Sequence, residues 1–277
     1  MLCCERFPNI CKEDFTGMKK WLAAVLALVM LLSASLAMAE GDKLSEIQAR
    51  GQLIIATEGN WSPWTYHDEN DQLTGFDIEI GRLIAEGLGV TPEYKEAEWS
   101  AILAGVDSGV FDIACNGVDY TEERAEKYAF TDPYVYTEIV LVVSKDNTDI
   151  HSFADLAGRK TSNSPNSTYA QRAEQLGAEV TYAESLYDTI QLVLSGRVDA
   201  TINAKGSVED FLSEHPDANI QIVETIPGDP VVFPVQKGEG TDTLVAAINE
   251  ILAKAREDGT LSALSIKYFN QDLTTPQ

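Results

Sequence analysis

The residues of this chain best suited to binding chemistry surround one arginine. Arg124 follows Thr121, which is expected to cap a short helix with acidic residues in its first turn. This placement would hold the guanidinium near the end of the preceding strand, where its planar fork of donors suits a carboxylate. The alternative is an ordinary ion pair with one of the nearby acids, Glu122, Glu123 or Asp132.

Other polar residues stand at similar places. Asn166, Ser167 and Thr168 open an expected helix, where free backbone N–H groups and two hydroxyls could receive an anion. Plain N-capping is their alternative role. Glu58 and Asp119 each follow an expected strand, and each could be a solvated carboxylate or a group that selects a ligand.

An aromatic set accompanies these groups. Trp61, Trp64, Tyr66 and Trp99 lie around the first strand end and the start of a later helix. Such rings can clamp a flat or aliphatic part of a ligand from two sides. Because most tryptophans are largely buried, we expect one or two of them to be core packing instead.

Catalytic and metal-binding patterns are weak. The three histidines stand in polar, turn-like segments without the spacing of a metal site. The sequence has no Gly-x-Ser-x-Gly motif and no glycine pattern for a nucleotide. Cys115 lies in an apolar run, where burial would keep its thiol inert. We therefore expect no cofactor, no metal and no enzymatic activity.

Composition narrows the classes further. The 277 residues include 44 Asp and Glu against 20 Lys and Arg, a net charge of −24, and 44% are hydrophobic. That apolar share is enough for a real core, so wholesale disorder is excluded. The excess of acid repels phosphate backbones and anionic lipids, so nucleic acid and membrane surfaces are not expected partners. Small molecules, particularly those bearing amino groups, remain open.

Residues 1–39 are typical of an N-terminal extension and a secretory signal peptide. Basic residues precede the apolar run 21–32, and small residues lead to a predicted cleavage after Ala39. An uncleaved membrane anchor is the alternative. The sequence leaves open whether translation starts at Met1 or at Met18. Because no cysteine directly follows the apolar run, we expect a periplasmic or extracellular product without a lipid anchor.

Alternating strands and helices predict an α/β fold with mainly parallel sheets. An internal repeat refines this prediction, because residues 106–117 align without a gap with residues 193–204. Each copy indicates a helix, a glycine stop and a strand. Since each copy needs its own sheet to pack on, two similar lobes are expected.

Two strands are expected to join these lobes. The apolar run Ile139 to Val143 and a strand at 231–233 are the natural crossings, and a helix from Thr241 to Ala255 would pack back on the first lobe. Lobe 1 is thus predicted to contain residues 40–135 and 232–277, and lobe 2 residues 136–231. Ligands bind beyond the carboxyl ends of parallel strands. Those ends are expected at Thr57-Glu58, Asn116 to Asp119, and Asn203-Ala204.

Motifs across the mature chain resemble the extracytoplasmic solute-binding proteins of ABC transporters for polar amino acids, family 3. They occupy residues 53–64, 73–77, 112–124, 130–134, 195–199, 258–260 and 267–269. The resemblance implies a periplasmic-binding-protein-like (type II) fold with two α/β lobes joined by two hinge strands. It also implies that an amino acid binds in the cleft and that the lobes close over it.

The same resemblance implies residue roles. Arg124 matches the family arginine that grips the ligand α-carboxylate, and Thr168 matches a helix-start donor to the same group. Trp61 matches an aromatic ring that lies on the ligand, and Trp99 matches a wall of lobe 1.

The expected ammonium contacts depart from the family pattern. Gly117 and Asp119 match positions that usually contact the α-ammonium. The family makes this contact through the backbone carbonyl at the first position and through a serine or threonine hydroxyl at the second. Ala204 stands where the family usually has an aspartate as the counter-ion. We hypothesise that Asp119 replaces this carboxylate, because an unpaired buried ammonium is costly. The alternative is a ligand without a conventional α-ammonium.

Ligand specificity is the least constrained inference. Residues 58–61 and 98–99 most resemble the cystine-type members, whereas an acid at Glu58 also fits lysine, arginine or ornithine. We expect a monomeric binding component that delivers a polar amino acid, cystine-like favoured, to a membrane permease. The less favoured alternative is an enzyme similar to the periplasmic cyclohexadienyl dehydratases, with Glu58 and Asp119 as candidates for proton transfer.

Overall fold

The computed structural model describes residues 42–276, so the predicted signal peptide lies outside the described residues. The part from Lys43 onward forms one compact unit. Its helices are α1 (Lys43–Arg50), α2 (Phe76–Gly87), α3 (Trp99–Asp107), α4 (Glu122–Lys127), α5 (Thr168–Gln175), α6 (Leu186–Leu194), α7 (Lys205–Glu214), α8 (Thr241–Glu257) and α9 (Thr260–Phe269), with a 3-10 turn at Phe153–Leu156. None of these helices combines the length and the apolar character that a membrane crossing requires.

The described strands form two five-stranded sheets and one small three-stranded sheet. They are β1 (Gln52–Thr57), β2 (Asn60–Trp61), β3 (Thr65–His67), β4 (Leu73–Thr74), β5 (Thr91–Glu96), β6 (Ile113–Ala114), β7 (Tyr128–Phe130), β8 (Val135–Ser144), β9 (Lys160–Asn163), β10 (Glu179–Tyr182), β11 (Ala200–Ala204), β12 (Ile220–Val231) and β13 (Pro234–Gln236).

The sheet of lobe 1 has the order β5-β1-β6-β13-β7. Leu53 and Ile55 of β1 are fully buried in one core with Phe76 of α2. Leu244 and Ile248 of α8 belong to the same core. The predicted packing of this late helix against the first sheet is therefore confirmed.

The sheet of lobe 2 has the order β10-β9-β11-β8-β12. Strand β8 is buried on both faces, which explains its continuous apolar sequence. Ile139 and Leu141 pack on one side with the 3-10 turn, and Val140 and Val142 pack on the other side with Ile190 of α6. Its centre is therefore a core strand with helices on both faces.

The prediction of mainly parallel sheets is only partly right. Strands β5, β1 and β6 are parallel, as are β10, β9 and β11, but β13 pairs antiparallel with β6 and β7. Strand β8 likewise pairs antiparallel with β11 and β12. The reason is that β8 carries the chain from the first sheet to the second, whereas β12 returns it in the opposite direction.

The two crossings lie side by side. The Tyr134 N–H donates to the Val231 carbonyl at 3.0 Å, and the Val232 N–H donates to the Val118 carbonyl at 2.9 Å. Strand β12 ends at Val231, whereas the strand predicted there continued to Phe233. The Phe233 N–H instead donates to the Thr131 hydroxyl at 3.0 Å, so this segment is tied to a loop rather than to a strand partner. The chain thus has two α/β lobes joined by two strands. The exact boundaries between the lobes, after residue 135 and after residue 231, remain our proposal.

The internal repeat is confirmed as two equivalent units. The glycine that ends the helix has a φ of 73° in the first copy and 67° in the second, a left-handed conformation that favours glycine. The aspartate of each copy then accepts a hydrogen bond from the neighbouring parallel strand. Asp112 accepts from the Ile54 N–H at 2.8 Å, and Asp199 accepts from the Lys160 N–H at 2.8 Å. The shared sequence therefore encodes a turn and the fixing of one strand to the next.

Candidate functional site

A cavity lies between the lobes, where β1, β6, β9 and β11 end, and it contains about 480 Å³ of space free of protein atoms when the part open to solvent is included. Residues of both lobes line it: Glu58, Asn60, Trp61, Trp99, Asn116, Gly117, Asp119, Arg124, Ser164, Ser167, Thr168, Tyr169, Glu184, Leu186 and Asn203. The residues to which the sequence and the family resemblance give a ligand role are among them except Ala204. Trp64, Tyr66 and Asn166, the other members of the aromatic and helix-start sets, do not line this cavity. The rule that ligands bind at strand ends thus locates the cavity.

Ala204 lies elsewhere. It is 2% exposed and lines a separate cavity with Trp64, Lys205 and Phe269. The preceding residue, Asn203, lines the cleft in its place. Successive residues of a strand point to opposite faces, so only one of the two can face the cleft.

Arg124 is held from several directions. Thr121 caps α4 as predicted, and its hydroxyl accepts from the Arg124 N–H at 3.1 Å. The guanidinium donates to the carbonyl of Asp119 at 2.9 Å and, across the cleft, to the carbonyl of Asn166 at 3.1 Å. It also lies 5.5 Å from the ring centre of Trp99.

This cation lacks a carboxylate partner. In the described part of the chain, Arg124 forms no ion pair with Glu122, Glu123 or Asp132, the alternative that its sequence context left open. Arg124 is only 7% exposed, and a guanidinium has five N–H groups, of which two are used here. A buried cation with spare donors is suited to an incoming anion.

Asp119 lies beside this arginine and links the lobes. Its Oδ2 accepts a hydrogen bond from the Thr168 hydroxyl across the cleft. Burial raises the pKa of Asp119 to about 6, opposed by the Thr168 hydrogen bond and the charge of Arg124. Ser167 caps α5 through the Ala170 N–H at 3.1 Å and donates to the Ser164 carbonyl at 2.7 Å. The hydroxyl of Ser167 is thus engaged in capping, whereas that of Thr168 bridges the cleft.

The two neighbouring tryptophans have different surroundings. Trp64 is 1% exposed in the core of lobe 1, as expected for part of the aromatic set, and Trp61 stacks on it with ring centres 5.3 Å apart. Trp61 lines the cleft, where its indole N–H donates to Asn203 Oδ1 of lobe 2 at 3.2 Å. Gly117 has a φ of +55°, and a Cβ there would lie 2.7 Å from the Trp61 ring. Glycine is therefore required for the indole to lie on this backbone.

The far end of the cleft is acidic. Glu58 is clamped by Asn116, which accepts from the Glu58 N–H at 2.8 Å and donates to its Oε2 at 2.6 Å. Burial raises the pKa of Glu58 to about 7, the Asn116 hydrogen bond opposes this, and the charges of Glu98 and Glu184 add to it. Glu184 enters from lobe 2, and its Oε2 is buried with no hydrogen-bond partner among the described residues.

Sequence reasoning missed two acidic groups here. Glu184 precedes α6 in a segment whose residue types resemble an ordinary helix start, so no signal identified it. Asp77 belongs to the motif at 73–77, which assigns it no role, yet its fully buried carboxylate accepts from the Gly117 N–H and from the Tyr134 hydroxyl, each at 2.7 Å. A lone aspartate at the start of a helix usually indicates no more than a favourable dipole contact.

The fold and the cleft define a class of protein. The sequence profile of the bacterial extracellular solute-binding proteins, family 3, matches residues 53–271. The chain belongs to this family.

Relatives add detail to this membership. The chain is 36% identical over 259 residues to a probable amino-acid ABC transporter-binding protein of Haemophilus influenzae, covering 93% of this chain and 100% of the relative. It is 38% identical over 237 residues to the L-cystine-binding protein TcyA of Bacillus subtilis, covering 85% of this chain and 87% of that relative.

Solved structures show similar folds in two states. An ancestral arginine-binding protein bound to glutamine is 34% identical, with a TM-score of 0.75 over 80% of this chain and 99% of that one. The L-cystine solute receptor of Neisseria gonorrhoeae, in its unliganded open conformation, is also 34% identical. Its TM-score is 0.57 over 85% of this chain and 100% of that one. At equal identity the chain thus fits the liganded structure better than the open one, in keeping with its hydrogen bonds across the cleft.

Proposed function

We propose that this protein is the extracytoplasmic binding component of an amino acid ABC transporter and that it presents a polar α-amino acid to a membrane permease. The observation that carries this proposal is the Arg124 guanidinium, buried in a cavity between two lobes with spare donors and, within residues 42–276, no ion pair to a carboxylate. The relatives support it, because one is described as an ABC transporter-binding protein and another as cystine-binding.

The two charged groups of an α-amino acid have counterparts in this cleft. Arg124 receives the α-carboxylate, together with Thr168 from lobe 2. Asp119 receives the α-ammonium, aided by the backbone carbonyl of Gly117. The placement of Asp119 in the cleft, beside Arg124, supports its role as the counter-ion of the ammonium. Trp61 and Trp99 form the walls around the ligand.

Closure follows from these contacts. Arg124, Asp119 and Trp61 belong to lobe 1, whereas Thr168 and Asn203 belong to lobe 2. A ligand held by both lobes only when they are shut stabilises the closed state by its differential contacts. The closed protein then offers a defined surface to the permease.

The ligand that we favour is cystine or a related polar amino acid, with lysine, arginine or ornithine as the alternative. We also propose that the protein acts as a monomer outside the cytoplasm, without a cofactor, and as a carrier rather than an enzyme. Absence of turnover is testable directly, by incubating the protein with prephenate or arogenate. Formation of an aromatic product would contradict the assignment as a carrier.

Calorimetry tests the main proposal. Protein unfolded and refolded to remove carried ligand is titrated with each common amino acid and with cystine. We expect saturable binding of a restricted set, its loss in Arg124→Ala, and no change in Arg82→Ala, whose guanidinium pairs with Glu79 at 2.9 Å on an exposed face of α2. A flat response to the whole panel, or unchanged binding in Arg124→Ala, would contradict the proposal.

A further inference from the structure

The acidic far end of the cleft points to a ligand with two positive groups. We propose that Glu58 of lobe 1 and Glu184 of lobe 2 form a subsite for a distal cation of the ligand, so that complete closure requires an amino acid whose far end carries an ammonium or guanidinium group. This inference rests on the proposed function and deepens it. It assigns Glu184 as a specificity-determining residue.

Hydrogen bonding supports the assignment, because both side chains keep acceptor oxygens free. Asn116 occupies the Oε2 of Glu58, but Glu58 Oε1 accepts no hydrogen bond within residues 42–276. Among the described residues, Glu184 Oε2 is buried without a partner, and one hydrogen bond reaches this residue, from the Ser164 hydroxyl to its backbone carbonyl at 3.1 Å. A buried carboxylate oxygen without a donor is costly, which favours a ligand that supplies one.

Charge supports it as well. No lysine, arginine or histidine of the described residues lies within ion-pair distance of Glu58 or Glu184. Glu98 adds a third negative charge that acts on Glu58. When the lobes close, these like charges approach each other, and a cation between them removes the repulsion.

An organic cation fits this end better than a metal ion. Over residues 42–276, no group of three or more His, Cys, Asp or Glu side chains is placed to hold a metal. Ammonium and guanidinium groups need only hydrogen-bond acceptors, which the two carboxylates provide. The basic amino acids offer a cation alone through their side chains. Cystine offers its second ammonium together with a second carboxylate, which the same acids repel, so it is the weaker fit of the two. Neutral amino acids leave the repulsion in place.

Paired ligands test the subsite. Lysine is compared with norleucine, which lacks only the terminal ammonium. Cystine is compared with the mixed disulfide of cysteine and ethanethiol, which keeps the disulfide but lacks the second ammonium and carboxylate. We expect wild-type protein to prefer at least one charged ligand over its partner by tenfold or more. We expect Glu184→Gln and Glu58→Gln each to reduce this preference about tenfold, since each removes one charged acceptor. The matched control is Glu179→Gln, an exposed residue of β10 in lobe 2, which should keep the full preference.

The outcomes separate the two proposals. Equal binding of charged and neutral partners, or an unchanged preference in Glu184→Gln, overturns the subsite while loss of binding in Arg124→Ala still supports the amino acid carrier. Absence of binding by every amino acid overturns both. A reduced preference in Glu184→Gln with normal binding of the neutral partner supports the subsite specifically, because a damaged fold would weaken both ligands.

Discussion

At the scale of single residues, the cleft separates its charges by position. Arg124 and Asp119 lie together at one end, and Glu58 and Glu184 lie at the other. Burial raises the pKa of Asp119 to about 6 and that of Glu58 to about 7, so one carboxyl at each end can hold a proton near neutral pH. Ligand binding should therefore be coupled to pH through identifiable groups.

The α-ammonium contact gives the first prediction. Burial raises the pKa of Asp119 to about 6, and an ammonium binds only its ionised form. As pH falls below 6, binding must first displace a proton, so affinity should fall by up to about tenfold per pH unit. Calorimetry of wild type and Asp119→Asn from pH 5 to pH 8 measures this.

Asp119→Asn should bind more weakly at pH 8 and lose the pH dependence below 6. A dependence centred nearer pH 7 should persist in the variant when the ligand carries a distal cation, because it belongs to Glu58. Equal affinities of the two proteins at pH 8 would refute the role of Asp119 as a counter-ion.

Asp77 gives a second prediction, on stability. Its burial raises its pKa to about 7 in the folded protein, against about 3.9 when unfolded. Between these values the folded state holds a proton that the unfolded chain does not, so this residue lowers stability as pH rises from about 4 to about 7. Asp77→Asn removes that proton, and its amide can still accept from Gly117 and donate to the Tyr134 oxygen.

Thermal unfolding at several pH values checks this. The midpoint for Asp77→Asn should depend less on pH than that of wild type and should be higher at pH 8. Glu86→Gln, on the exposed side of the same helix, should follow wild type. A variant that keeps the wild-type pH dependence would show that Asp77 is ionised in the folded state.

At the scale of elements, the sequence predicts what depends on neighbouring residues. The Thr121 cap, the Ser167 cap and the glycine stops of the repeat are local signals, and all three are confirmed. The apolar runs likewise predict β1 and the centre of β8.

Contacts between distant segments were not predictable in this way. Asp77 meets Gly117 only after two helices and a strand have packed, and Glu184 meets the cavity only because lobe 2 closes over lobe 1. Such polar contacts carry no periodic pattern in the sequence. The site residues that stand at strand ends or in the family motifs were therefore predictable, and the others were not. The end of β12 at Val231 was missed for the same reason, because its neighbours bond to loops far along the chain.

Two glycines at the ends of elements give a third prediction. Gly75 precedes α2 with a φ of +127°, and a Cβ there would collide with the backbone carbonyl of Trp64. Gly196 ends the helix of the second repeat with a φ of +67° and has nothing within 4 Å of the added Cβ. Gly196→Ala should therefore lose only the left-handed preference, about 1–2 kcal/mol.

Denaturant unfolding compares the two variants. Gly75→Ala should be destabilised clearly more than Gly196→Ala, because its backbone must shift as well. Similar losses in the two proteins would show that the segment around Trp64 yields easily.

At the scale of the whole molecule, function depends on how the lobes share contacts. The strands β8 and β12 join the lobes at one edge. In the described part of the chain, three side chains of lobe 1 also bond to lobe 2 across the cleft, namely Trp61, Asp119 and Arg124. All three side chains line the proposed ligand site, Asp119 and Arg124 with their charged groups and Trp61 with its ring. Because an aromatic ring can be kept at position 61 while the N–H is removed, the bond between Trp61 and Asn203 is the one whose loss disturbs the ligand contacts least.

Trp61→Phe gives the last prediction, because it keeps an aromatic ring on Gly117 but removes the indole donor to Asn203. The closed state should lose about 1 kcal/mol, so ligand affinity should fall about fivefold if the free protein is mostly open. If the ligand-free wild type populates the closed form, small-angle scattering should show a larger radius of gyration for the ligand-free variant than for wild type. At saturating ligand the radii of gyration of the two proteins should be equal. Tyr182→Phe loses a hydrogen bond of 2.7 Å to Glu174 within lobe 2 and should change neither quantity. If Trp61→Phe binds and scatters like wild type, this cross-lobe bond does not contribute to closure, and the ligand contacts alone must hold the lobes together.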